Sequence, residues 1–71
     1  MNRFEVTYTG PNWEVVRNGI AVSRQPKKSR AVAVARRLAG QAGGTLVIRR
    51  QDGTEQETET FGLSKTGAGP G

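Results

Sequence analysis

Hydrophobic periodicity switches twice along this chain of 71 residues, and the switch limits its architecture more than any other feature. Over residues 3–9 apolar and polar side chains alternate, with Phe4, Val6 and Tyr8 on one face and Glu5, Thr7 and Thr9 on the other. Period two in β-branched and aromatic residues specifies a half-buried strand. Gly10-Pro11-Asn12 is turn chemistry. A second strand over 13–17 places Trp13 and Val15 inward, with Glu14 and Val16 outward. Asn18-Gly19 is the preferred dipeptide of a two-residue type I′ hairpin. A short third strand then puts Ile20 and Val22 inward, with Ala21 and Ser23 outward.

From Ala31 the period becomes helical. Ala31, Val34, Ala35, Leu38 and Ala42 fall at i, i+3, i+4, i+7 and i+11, one face of a helix. Pro26 suits its first turn, where a missing N–H costs nothing, and Gly43-Gly44 stops it. Arg30, Arg36 and Arg37 fall on the solvent side. Alternation resumes over 45–50, with Leu46 and Ile48 inward and Val47 and Arg49 outward. A polar fifth strand follows over 54–61.

Parity selects the turn between these last two strands. A two-residue loop would set Glu57 and Glu59 opposite Ile48 and Leu46 and bury carboxylates. A three-residue loop, Gln51-Asp52-Gly53, with Gly53 left-handed in a bulge, sets Glu55 beside Arg49 and Glu57 beside Val47 on the outer face. The expectation is therefore an α+β fold: a two-layer β-β-β-α-β-β domain, one antiparallel sheet packed on a single helix. It spans residues 1–62, and the Gly-rich segment 63–71 is expected to be a disordered tail. Its expected core is Phe4, Val6, Trp13, Val15, Ile20, Val22, Ala31, Val34, Ala35, Leu38, Leu46 and Ile48. Glu5, Glu14, Glu55, Glu57 and Glu59 are expected on the open sheet face and arginines on the exposed helix face.

The layout resembles a small bacterial and phage family catalogued as domain of unknown function 2188. The likeness is carried by Trp13-Glu14-Val15 and the Gly19 turn, by Lys28-Ser29-Arg30-Ala31 leading to Ala35-Arg36-Arg37-Leu38-Ala39, and by Leu46-Val47-Ile48, Asp52-Gly53 and Thr60-Phe61-Gly62. It covers roughly residues 4–62. The resemblance implies the fold and no activity. The chain departs from the pattern at Arg30, where the family usually carries Glu, and at Glu55, where it often carries an apolar residue.

Function has to be sought in the charge distribution. Between Glu14 and Asp52 there is no acidic residue and there are nine basic ones, while residues 1–14 sum to −1 and residues 52–71 to −3. A segregated positive field of this kind attracts polyanions. There is no cysteine and no histidine, so thiolate metal sites, cysteine nucleophiles and the usual general base are excluded. No catalytic constellation, metal site or cofactor motif is expected, and the chain is read as a binding protein and not an enzyme. No apolar run approaches the roughly 18 residues that span a bilayer, so no membrane partner is expected and a cytoplasmic location is.

Lys27, Lys28 and Arg30 sit at the helix start, where the macrodipole is already positive. That placement suits an anion, on which free N–H groups, dipole and side-chain charges converge. Arg37 extends the track along the helix, with Arg36 and Arg24 beside it. The expected nucleic-acid-binding set is thus Lys27, Lys28, Arg30, Arg37, Arg36 and Arg24. The expected ligand is nucleic acid, duplex DNA ahead of RNA, held by phosphates with little base specificity. The alternative is a protein-interaction module, either a homodimer seeded by Val16 and Val47 on the open sheet face or a dock for an acidic protein. Trp13, Tyr8 and Phe61 are read as core and not as base-stacking platforms.

Overall fold

A computed structural model describes residues 2–62. Six elements follow in order: β1 (Arg3–Tyr8), β2 (Trp13–Arg17), β3 (Ile20–Gln25), α1 (Lys28–Ala42), β4 (Gly44–Arg49) and β5 (Glu55–Phe61). The strands form one sheet in the order β3-β2-β1-β4-β5, and α1 lies across β1, β2, β3 and β4. This is the expected two-layer β-β-β-α-β-β arrangement. One ladder differs from the expectation: β1 and β4, at the centre, run parallel. Two hairpin turns leave β3 pointing the same way as β1, and the helix then carries the chain back so that β4 starts from the same end. The expected tail, residues 63–71, lies outside the described residues.

The β2–β3 hairpin turns where the sequence places it. Asn18 and Gly19 both have positive φ, 50° and 86°, as a type I′ turn requires, and Arg17 faces Ile20. The helix begins one turn-position later than expected. Lys27 is its extended N-cap, at φ −119° and ψ 139°, so Pro26 precedes the cap and does not occupy the first turn. At the other end the Gly43 N–H donates to the Ala39 carbonyl at 2.7 Å. Gly44 has φ +124°, and a Cβ there would lie 2.1 Å from the Asn2 backbone oxygen. Only glycine lets β4 start this close to the N-terminal strand.

Phe4, Val6, Trp13, Val15, Ala31, Ala35, Ala39, Leu46 and Ile48 form the buried core between the layers. Ala31, Ala35 and Ala39 repeat every four residues beneath the helix, while Val34 and Leu38 pack partly buried on its flanks. Small residues on the central stripe let the helix axis approach the sheet, which makes Ala39 a core residue although its size alone does not mark it as one.

Two bulges correct the expected alternation. Along the β2–β3 ladder Val15 faces Ser23 but Val16 faces Ala21, so Val22 has no opposite residue. The extra residue reverses the parity beyond it, and Ser23 now shares the helix-side face with Val15. Ile20 and Val22, expected in the core, are 69% and 47% exposed. Along the β4–β5 ladder Arg49 faces Glu55 but Ile48 faces Glu57, so Gln56 is the extra residue.

The Gln51–Gly53 loop itself is as expected. Gly53 has φ 91°, and the Arg50 N–H donates to the Thr54 carbonyl at 2.8 Å. The bulge beyond it turns Glu57 and Glu59 to the helix side, opposite Ile48 and Leu46, instead of the open face. Burial is avoided because β5 is an edge strand. Val47, expected to be exposed, is 2% exposed. It sits between Glu5 of β1 and Thr58 of β5, beside the chain Arg3–Glu5–Arg49, whose long side-chain stems shield apolar surface.

Candidate functional site

The start of α1 carries no acidic residue in its first turn and no side-chain cap. Lys27, Lys28 and Arg30 therefore stand around backbone N–H groups that have no intrahelical acceptor. Lys27 and Arg30, with Gln25 and Pro26, line a hollow of about 170 Å³. One turn further, Arg30 and Arg37 flank a second hollow of about 340 Å³ floored by Ala33 and Val34. Lys27, Arg30 and Arg37 are exposed, and among the described residues none of them is in an ion pair. Lys28 is more constrained. Its Nζ lies 5.0 Å from the centre of the Trp13 ring, and it donates to Gln56 Oε1 of β5.

The remaining expected residues do not join this group. Arg36 reaches sideways to β5, where its Nη2 is 2.5 Å from Glu59 Oε2 and 4.0 Å from Glu57 Oε2. The hydrogen bond from Arg36 holds the Glu59 carboxyl below its ordinary value, and the same bond raises the Arg36 guanidinium. Arg24 is on the other side of the sheet. It lies across from Glu14 in the β2–β3 ladder and donates to Glu14 Oε2 from Nη2 at 2.9 Å and from Nε at 3.2 Å. The six expected residues thus divide into three on the outer helix surface (Lys27, Arg30 and Arg37), Lys28 at the helix start held against Trp13 and Gln56, and two that are held by carboxylates.

The open sheet face is not the bare acidic surface that alternation suggested. Arg3 Nε is 3.0 Å from Glu5 and Arg49 Nε is 3.4 Å from the same carboxylate. Burial pushes the Glu5 carboxyl up, but hydrogen bonds and charges from Arg3 and Arg49 more than reverse this and leave it below its ordinary value. Arg49 takes Glu5 as its carboxylate, although Glu55 is its cross-strand neighbour. Arg17 donates to Asn2 Oδ1 at 3.1 Å and lies over the Phe4 ring. Arg50 donates to the Glu55 carbonyl at 2.8 Å. Among the described residues, cations away from the outer helix surface therefore have acceptors close by.

Two features of this site were invisible to sequence reasoning. The carboxylates that engage Arg36 arrive through the bulge at Gln56, and nothing in the composition of β5 marks that residue. Trp13 lies beneath Lys28 because the β3–α1 connection returns the chain to the end of β2 where Trp13 begins. Among the described residues no group of three or more carboxylates, histidines or cysteines could hold a metal ion. No described helix is long and apolar enough to cross a membrane.

The chain belongs to the family described as an uncharacterized protein conserved in bacteria (domain of unknown function 2188), whose model matches residues 4–61. No curated protein and no solved structure matches it.

Proposed function

We propose that this protein binds nucleic acid, duplex DNA in the first instance, through phosphates gripped by Lys27 and Lys28 at the start of α1 and by Arg30 and Arg37 along its outer surface. One observation supports the reading above the others. Arg3, Arg24, Arg36 and Arg49 are each matched to a carboxylate, and Arg17, Arg50 and Lys28 donate to amide, hydroxyl or carbonyl oxygens, whereas Lys27, Arg30 and Arg37 have neither kind of partner among the described residues. Cations at a helix start are unfavourable there by a few tenths of a kcal/mol or more at low salt. A phosphate would reverse the sign of that term by accepting the free N–H groups and the side-chain charges together.

The proposed activity is binding without catalysis, in the cytoplasm. Phosphates position a protein without specifying bases, so affinity is expected to vary little with sequence. Four contacts predict a slope of log K against log salt of about −3.6 on duplex DNA. A gel-shift panel of duplex DNA, duplex RNA and single strands at two salt concentrations tests this. Binding to duplex DNA that weakens steeply with salt and little with sequence supports it. No retardation at low salt, or retardation unaffected by salt, rejects it.

A further inference from the structure

We propose that β3 is a self-association edge, and that two copies of this chain join β3 to β3, antiparallel, about a twofold axis at Ala21. Ile20 and Val22 are the large apolar residues that the described part of the molecule leaves exposed, at 69% and 47%. Both lie on β3, a terminal strand of the sheet, whose outer row of backbone groups has no partner strand among the described residues. An exposed apolar edge with free N–H and C=O groups is a template for pairing. A twofold axis at Ala21 sets Ile20 of one copy beside Val22 of the other, so the same two residues complete the seam on both sides.

Charge favours a second copy here and not at the opposite edge. Arg24, the charged residue of β3, is already matched to Glu14 within the chain at 2.9 Å, so two β3 edges meet without uncompensated like charge. The β5 edge carries exposed Glu55 and Glu57, which would oppose one another in a β5 pairing. The open sheet face is a poorer seam than its sequence suggests, because Val47 is buried within its own chain. The bulge at Val22 keeps the β3 seam short, which places the association in the weak class. Joined in this way the two sheets become one of ten strands, with both helices on the same face. The pairing does not depend on what the helix surface binds.

Sedimentation equilibrium of the full chain from about 10 μM to about 1 mM reads the association directly, in the range expected of a small interface. The parent mass is expected to climb toward two chains, while Ile20→Lys/Val22→Lys stays at one. A second readout does not rely on the folding of that variant. The chain has no cysteine, so Ala21→Cys can form a disulfide only with another copy. Across a twofold antiparallel pair the two Cα atoms lie about 4.5–5.5 Å apart, within disulfide range. Ala21→Cys is expected to cross-link about tenfold faster than Thr60→Cys on the opposite edge, because pairing raises the local thiol concentration. A parent mass fixed at one chain, a mass that grows past two chains, or equal cross-linking at both edges would overturn the proposal.

Discussion

Arg36 of α1 and Glu59 of β5 are joined by an ion pair of 2.5 Å between Nη2 and Oε2, supported by Nε at 3.1 Å to the second oxygen. The pair ties an edge strand to the helix layer and withdraws Arg36 from the otherwise open basic surface. Glu59→Gln is therefore expected to act in two directions. Folding stability falls by up to about 1 kcal/mol, the range of a well-placed surface pair, as measured by urea unfolding. The released guanidinium joins the helix surface, and the salt slope on duplex DNA steepens by about one. An unchanged slope would mean that Arg36 points at no phosphate even when free.

The same pair sets an acid dependence. Glu59 and Glu5 both titrate below their ordinary value of 4.5 in the folded chain. A carboxyl lowered by folding contributes stability that is fully present above its unfolded value and is lost as pH falls through its folded value. Urea midpoints are expected to hold steady from about pH 7 down to about pH 5 and to drop below that. Glu59→Gln should shrink the drop. A midpoint that rises on acidification would contradict the ion-pair assignments.

Two glycines are expected to respond oppositely to alanine. At Gly44 a Cβ would stand 2.1 Å from backbone oxygen at φ +124°, so Gly44→Ala should cost about 3 kcal/mol or more, or prevent folding. At Gly40, inside α1, a Cβ meets nothing within 4 Å. Gly40→Ala should stabilise by about 0.5–1 kcal/mol through helix propensity. Thermal unfolding of the two variants beside the parent checks both signs.

These outcomes mark what the sequence could reveal. Asn18-Gly19 and the Gln51–Gly53 loop were legible because their turn types demand particular residues, and Ala31 to Ala42 because apolar spacing on a helix is unambiguous. Val22 and Gln56 were not. Each adds one residue to a strand at an edge, where neither glycine nor proline is needed and little packing is lost. A single added residue breaks the alternation, which takes Val22 out of the core and turns Glu57 and Glu59 from the open face; Ile20 keeps its expected face, opposite Arg17, and is exposed because it stands at the hairpin end of an edge strand. The division of the basic residues was illegible for the same reason. Arg36 and Arg37 are neighbours in sequence but face different sides of the helix, and the register of β5 brings a carboxylate to the first while the second has none among the described residues.

Trp13 offers an optical probe of the helix start. It is the chain's one tryptophan, and Lys28 Nζ stands 5.0 Å from its ring. Short duplex DNA added at low salt is expected to change Trp13 emission, and high salt to restore it. Lys28→Ala should expose the ring, shift emission to the red, and cost about 0.5–1 kcal/mol of stability. Emission that ignores duplex DNA while binding is seen by another method would place the contact elsewhere.

The central claim is that the outer helix surface, and not the sheet, meets the phosphates. Its most direct test compares salt slopes for two double variants against the parent on one duplex. Arg30→Ala/Arg37→Ala removes two cations with no carboxylate among the described residues, and Arg49→Ala/Arg50→Ala removes two that already have acceptors close by. The first pair is expected to flatten the slope by about two and to weaken binding on every sequence, while the second leaves the slope within about half a unit of the parent. A slope unchanged in the helix variant and flattened in the strand variant would contradict the claim and move the interface to the sheet.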